Sequence, residues 1–240
     1  MSWDDYVRGK TIAVVGPAPA PYDQSDEVNA HDIVYRTSYG FVLEGETESF
    51  QSGLLPAGYG DRVDASFYNG SATRLVSSGH LDEVYADLDW AVHKWPPDYV
   101  SPLTNVRACR HPRLRGSDVH GNQVTLMLYD LTAYEPASVT VFGADFYMAP
   151  PAEWYSTEYG SEKMVLTNDV TAWESDYTES IGANFHDQEV QRQVIRAIRD
   201  QYGWPAGDQR FLDALYTPKE VHEKLLLDLR AAYLKTQATV

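Results

Sequence analysis

Apolar residues arrive in two rhythms along this chain. Unbroken β-branched runs, TIAVVG at 11–16 and ASVTVFGADF at 137–146, predict strands buried on both faces of a parallel sheet. HDIVYRTS (31–38) and DRVDASFYN (61–69) add two more, the second alternating through Val63, Ala65 and Phe67. HLDEVYADLDWAV (80–92) predicts a helix. NQVTLMLYDLTAY (122–134) fits either period, and its length and Leu/Met content favour a helix. DQEVQRQVIRAIRDQYG (187–203) sets Val190, Val194 and Ile198 four apart on one stripe and stops near Gly203 and Pro205. TPKEVHEKLLLDLRAAYLK (217–235) opens on Thr217 with Pro218 at the first helical position and Glu220 at the third. That is a capping box, and it turns Val221, Leu225 and Leu229 inward.

Strands alternating with helices predict an α/β fold, a three-layer sandwich with a mainly parallel sheet. With no repeat, low-complexity tract or linker, residues 1–240 read as a single domain. Ligands of such sheets gather at the carboxyl ends of the strands, which directs attention to the residues just after Val15, Tyr35, Phe67 and Phe142.

Charge narrows the partners. Against 19 Lys+Arg stand 35 Asp+Glu, a net charge of −16 that repels a phosphate backbone, so no non-specific nucleic-acid binding is expected. The exception is local: VRACRHPRLRG (106–116) packs Arg107, Arg110, Arg113 and Arg115 around His111. That cluster offers an anion or acceptor contact, or else a solvated loop paired with nearby acids. A single cysteine, Cys109, rules out an internal disulfide and a Cys-rich zinc site. No run approaches the ~18 apolar residues of a membrane span, and MSWDDYVRGK has no signal-peptide core. The expectation is a soluble cytoplasmic protein without a membrane partner.

The loop after the first strand runs Gly16-Pro17-Ala18-Pro19-Ala20-Pro21. It is neither G-x-G-x-x-G nor a Walker A loop. Its prolines remove three N–H donors, leaving the amides of Gly16, Ala18 and Ala20 among side chains small enough for close approach. Such a loop suits a sugar or nucleotide better than a triphosphate; a plain turn is the other reading. Asp145, ending a buried strand, serves a ligand, caps the next element or pairs with an arginine. Arg36, within a buried strand, pairs with Asp32, Asp64 or a ligand phosphate. Asn69 contacts a ligand or forms an Asn-Gly turn.

His186 lies four residues before Val190, on the inward face if the first helical turn includes it. The positive end of the helix dipole disfavours imidazolium there, leaving a ring able to accept a proton. Glu189, three residues on, is in reach to orient the ring or cap the helix. A capping or core histidine is the alternative.

These segments together carry a resemblance. IAVVGPAPAP…EVNAHDIVYRTSYG resembles the large sialylmotif of the sialyltransferase-like glycosyltransferases, family 29. Asp32, Val34 and Arg36 fall on its Asp-x-Val-x-Arg-x-Asn, and Ser38 stands where the family usually carries asparagine. YGDRVDASFYNGS is similar to the family's Gly-x-Arg-Thr-Asp strand through Gly60, Arg62 and Asp64, with Asn69 following. ASVTVFGADFY resembles the end of the small sialylmotif through Gly143, Asp145, Phe146 and Tyr147. FHDQEVQRQVIRAI resembles the last motif, a histidine followed by a glutamate and a helix. EWYS, with Tyr155, stands roughly where the third motif is expected.

The resemblance implies a Rossmann-like fold of the sialyltransferase-like GT-A variant. It implies an inverting, metal-independent glycosyltransferase with no cofactor, using a nucleotide-sugar donor, CMP-linked. His186 would be the general base with Glu189 beside it. Gly16, Pro17, Ala18, Ser38, Asn69, Gly143 and Asp145 would form the nucleotide pocket, with Tyr155 at the leaving phosphate. Arg107, Arg110 and Arg113 remain the acceptor or anion contact, the acceptor being a glycan, a protein or a modified nucleobase. Two rivals stand beside it: an inert nucleotide-binding module, and a UDP/GDP-sugar transferase holding a metal on Asp87-Leu88-Asp89. That D-x-D pair falls in a stretch predicted to be helical, where a solvated acidic face is favoured.

Overall fold

A computed structural model of the chain describes residues 1–18, 20–39, 41–44, 47–50, 58–68, 85–94, 104–111, 114, 121–146, 188–222, 224, 225 and 228. Within these, the β-branched runs form the middle of a seven-stranded sheet whose pairings are all parallel. Its strands are β1 (Thr11–Val15), β2 (Ile33–Thr37), β5 (Ala65–Tyr68), β6 (Trp90–His93), β7 (Val106–Ala108), β8 (Ser138–Phe142) and β9 (Ala206–Gly207). A separate antiparallel hairpin, β3 (Phe41–Glu44) and β4 (Thr47–Phe50), follows β2. The helices are α1 (Trp3–Val7), α2 (Ser25–Asn29), α3 (Gln123–Leu131), α4 (Gln188–Tyr202) and α5 (Gln209–Tyr216). The architecture is α/β, and no helix among the described residues is long and apolar enough to cross a membrane.

The strand order is β7-β6-β5-β2-β1-β8-β9. The chain starts in the middle at β1, moves outward one way to β7, then crosses through α3 to β8 on the other side of β1. The order therefore reverses between β1 and β8. In sheets of this kind crossover connections diverge at such a point, and ligands commonly bind at the carboxyl edge there.

Two apolar layers hold the sheet. On one face Ile12, Val14, Ile33, Tyr35, Phe67, Trp90, Val92, Val139 and Val141 meet α1, α3, α4 and α5. On the other, Ala13, Val15, Val34 and Phe142 meet Val28 of α2 and Tyr59. The register is pinned at the amino edge. Asp32 accepts from the Thr11 amide at 2.8 Å while its own amide donates to Thr11 Oγ1 at 2.9 Å. Asp64 accepts from the Val34 amide at 2.7 Å and pairs with Arg62 at 2.8 Å. Arg62 in turn donates to the carbonyls of Asn29, His31 and Asp32.

Several expectations need correction. The stretch 80–92 is not one helix: Trp90–His93 is a strand, because Ala91 and Val92 lie between two neighbouring strands and are buried on both sides. The arginine-rich segment holds a strand too, β7, at the sheet margin. In α4 the buried line runs through Gln188, Gln191, Arg192, Ile195 and Ile198, while Val190 and Val194 are only partly buried. Gln191 is buried because its Oε1 accepts from the Asn122 amide and Thr125 Oγ1. Arg192 is buried because it donates to the carbonyls of Ala214 and Thr217 at the end of α5. Thr217 is the C-cap of α5, a helix absent from the expectation, and helical residues resume at 219–222.

Candidate functional site

The loops leaving β1 and β8 are zipped together at the reversal of strand order. Gly16 donates its amide to Phe142 O and Ala18 donates to Gly143 O, each at 2.8 Å. A Cβ on Gly16 would lie 2.5 Å from Gly143 O, so only glycine allows this approach. Gly143 has φ +63°, and a Cβ there would lie 2.9 Å from the carbonyl oxygens of Gly16 and Ala18. The two glycines fit as a pair. This corrects the expectation that the Gly16 and Ala18 amides await a ligand: both are spent on the neighbouring loop. Pro17, between them, is half-buried.

Ser38, the first residue after β2, is brought to the same edge. It has φ +50°, donates its amide to Phe67 O at 2.8 Å, and its Oγ accepts from Gln123 Nε2 at 2.7 Å. Gln123 is the first residue of α3, so the helix starts at the same edge. Its neighbour Val124 would contact a Cβ on Gly16 at 3.1 Å. Asn122 caps the helix by accepting from the Thr125 amide at 2.8 Å. Gln191 of α4 fixes that cap from behind, as described above.

On the β8 side, Asp145 is buried and pairs with Arg210 Nη2 at 2.6 Å. Of its sequence readings, ligand, cap or arginine pair, the described contact is the arginine pair. Asp208 is the N-cap of α5, accepting from the Phe211 amide at 2.7 Å, and its other oxygen lies 3.5 Å from the Gly143 amide. Tyr59 packs edge-on against Phe142. Burial, with the Asp208 charge next, holds its phenol well above the ordinary tyrosine range.

The remaining candidates separate. Arg107 faces no crevice. It makes a bidentate pair with Asp130 at 2.7 and 2.9 Å, donates to Tyr134 Oη at 3.0 Å, and stacks over the rings of Trp3 and Tyr134. Asp130 is fully buried and also accepts from the Arg110 amide at 2.6 Å. Arg107 is thus the counterion of a buried carboxylate, which corrects its assignment to an anion or acceptor; Arg110 itself is exposed. Arg36 pairs with neither Asp32 nor Asp64. It donates to the carbonyls of Tyr59, Gly60 and Arg62 at 2.6, 3.0 and 2.9 Å, and burial lowers its pKa to about 10.

Glu189 bridges Arg192 at 2.6 Å and Arg196 at 2.7 Å on its own helix. Burial opposes its ionisation, but the Gln193 hydrogen bond and the two guanidiniums outweigh it and hold the carboxyl below the ordinary glutamate range. Asn69, Arg113, Arg115, Tyr147, Tyr155 and His186 lie outside the described residues. Of the D-x-D pair, Asp89 stands just before β6, at the amino edge of the sheet, and accepts from Tyr6 Oη at 2.9 Å. It is on the opposite edge from the crevice.

One group at the carboxyl edge escaped the sequence reading. His93 is the last residue of β6 and fully buried. Its Nε2 lies 2.6 Å from Tyr85 Oη, and its ring stacks on that of Tyr68, the last residue of β5, at 5.4 Å. Tyr68 Oη reaches back to Tyr39 O, next to Ser38. A short apolar run ending in His-Lys was the available signal, hidden by the helical spacing of the residues before it. Compared with known proteins, the chain matches no family model and no curated sequence.

Proposed function

We propose that the protein is an inverting, metal-independent glycosyltransferase that moves a sugar from a nucleotide-activated donor, CMP-linked, to an acceptor hydroxyl. In this reading the fold is a Rossmann-like sheet of the sialyltransferase-like GT-A type. One observation carries it. The strand order reverses between β1 and β8, and the three sequence segments that resemble the family's nucleotide-site motifs, Gly16–Ala18, Ser38 and Gly143–Asp145, converge on the carboxyl ends of β1, β2 and β8.

Because the Gly16 and Ala18 amides are engaged, these residues shape the crevice wall instead of donating to phosphate. Ser38, Gln123 and the first turn of α3 are left to meet the nucleotide. An amide-rich helix end aligned with its dipole suits a leaving phosphate without a cation. His186 takes the proton of the acceptor hydroxyl as that oxygen attacks the anomeric carbon. The bond from that carbon to the phosphate oxygen breaks, and CMP departs from the opposite side. The position of Asp89 at the far edge of the sheet disfavours a metal-dependent D-x-D site.

The test is release of CMP from a CMP-linked sugar in EDTA. His186→Ala is expected to lower turnover by about 10²–10⁴ while leaving CMP binding intact. Turnover unchanged by that substitution would overturn His186 as the base. CMP binding without any turnover in the parent protein would leave an inert nucleotide-binding module.

A further inference from the structure

We propose that Gln191 is a positioning residue: from α4 it sets the place of the Ser38–Gln123 contact, the part of the carboxyl edge left to meet the nucleotide. The inference rests on the transferase reading for the identity of that ligand, and the positioning itself is measurable without it.

Gln191 is fully buried on α4, which packs on α3. Burying its amide costs free energy that a leucine would not, unless the hydrogen bonds are made. Here they are made, and mostly in one direction. Oε1 accepts from the Asn122 amide at 2.7 Å and from Thr125 Oγ1 at 3.1 Å, while Nε2 donates to Gln188 Oε1 on its own helix at 3.4 Å. A leucine would hold the two helices together by packing alone. Two donors on one buried oxygen also fix where α3 sits along α4, because a satisfied buried polar network specifies one arrangement.

What is fixed in this way is the start of α3. Asn122 is its N-cap and Gln123 its first residue. The Gln123 side-chain amide meets Ser38 Oγ with both ends, Oε1 at 3.0 Å and Nε2 at 2.7 Å. Ser38 needs that hold: its φ of +50° lies in the left-handed region, which a serine keeps only where its surroundings impose it. A line of contacts therefore runs from Gln191 through the cap of α3 to the turn after β2. Gln191 is its buried end, whereas Ser38 and Gln123 are only half-buried and reach solvent. A shift of α3 along α4 would draw Gln123 off Ser38. It would alter the surface offered to a nucleotide without changing any residue on that surface.

The experiment compares the full parent chain with Gln191→Met, which keeps the length of the side chain and removes the acceptor. Ile195→Val is the control, a fully buried site one turn further along α4 whose side chain has no polar atom to join the line. ¹H–¹⁵N spectra follow the Ser38 amide and the Gln123 side-chain amide, and calorimetric titration of CMP in EDTA gives the affinity, both well below each melting temperature. The expected result is displaced Ser38 and Gln123 signals and roughly tenfold weaker CMP binding in Gln191→Met, with both nearly unchanged in Ile195→Val. Signals that stay in place in Gln191→Met, or a CMP affinity that falls no further there than in Ile195→Val, would overturn the proposal and make Gln191 a plain tie between helices. If Gln191→Met does not fold, Thr125→Val removes one of the two donors and is expected to move the same signals by less; signals unmoved there overturn the proposal equally. A parent chain that binds no CMP, with the signals displaced as expected in the variants, would overturn the nucleotide reading and leave the positioning of Ser38 and Gln123 standing.

Discussion

The two faces of the sheet are built from the same seven strands and obey different rules. The helix-rich face is oily along its length, from Ile12 and Val14 through Ile33, Tyr35 and Phe67 to Val92. The opposite face begins the same way at Ala13 and Val34, but toward the carboxyl edge it presents Arg36, Ser66, Tyr68 and His93, all fully buried or nearly so. Burying polar side chains costs free energy that burying Ile or Val does not. One face is therefore invested in stability, and the other concentrates polar groups near the edge where ligands of such folds bind. The helix-rich face also holds the ion pair Arg107–Asp130, whose guanidinium is engaged by both Asp130 oxygens and by Tyr134 Oη.

That contrast can be broken most strongly at the ion pair. Arg107→Leu strands a fully buried carboxylate, and unfolding in urea should show a loss of about 3–5 kcal/mol. Adding Asp130→Leu should restore much of it. If the single substitution were tolerated within error, the pair would not be the structural clamp described.

The opposite face should declare itself through pH. The folded pKa of His93, about 4, lies below the ordinary value of 6.5, so the unfolded chain binds more protons between these limits. Stability from this group is complete above pH 6.5 and declines as pH falls toward 4, by up to roughly 3 kcal/mol. Denaturation midpoints measured from pH 7 to 4 should fall less steeply in His93→Phe than in the parent chain. Parallel curves would show that the ring does not titrate as its burial demands.

The smallest effect belongs to the seam between the β2 loop and α3. Ser38→Ala removes the hydroxyl that accepts from Gln123 and should cost about 0.5–1.5 kcal/mol in stability. A nucleotide affinity lowered in the same variant would place Ser38 at the ligand; an unchanged affinity would leave it as a tie between elements.

How much of this was legible in the sequence follows the same division. TIAVV and SVTVF announced β1 and β8 because both of their faces are largely apolar. WAV (90–92) was read as the end of a helix because the apolar spacing before it is helical and the residue that closes the strand is a buried histidine. VRA was lost among arginines whose leading member, Arg107, turns inward to a carboxylate 23 residues away in sequence. In α4 the expected valine stripe gave way to Gln191 and Arg192, which are buried because partners on α3 and α5 satisfy them. Helix α5 was missed because Gly203 and Pro205 signalled an end, while its N-cap Asp208 was not weighed as a start. At the crevice, the sequence brought forward Gly16, Ser38, Gly143 and Asp145, but not that two of the offered amides would be consumed by the adjoining loop. Local pattern reports propensity and burial; it does not report which distant partner satisfies a polar group.

The central claim, as proposed, is that the carboxyl edge of the sheet, where the strand order reverses at β1 and β8, accepts a cytidine nucleotide without a metal. Calorimetric titration of CMP in EDTA, beside UMP, UDP and GDP with and without Mn²⁺, tests it most directly. The account predicts saturable CMP binding that Mn²⁺ does not change. Binding of UDP or GDP only with Mn²⁺, or no binding by any nucleotide, would contradict it.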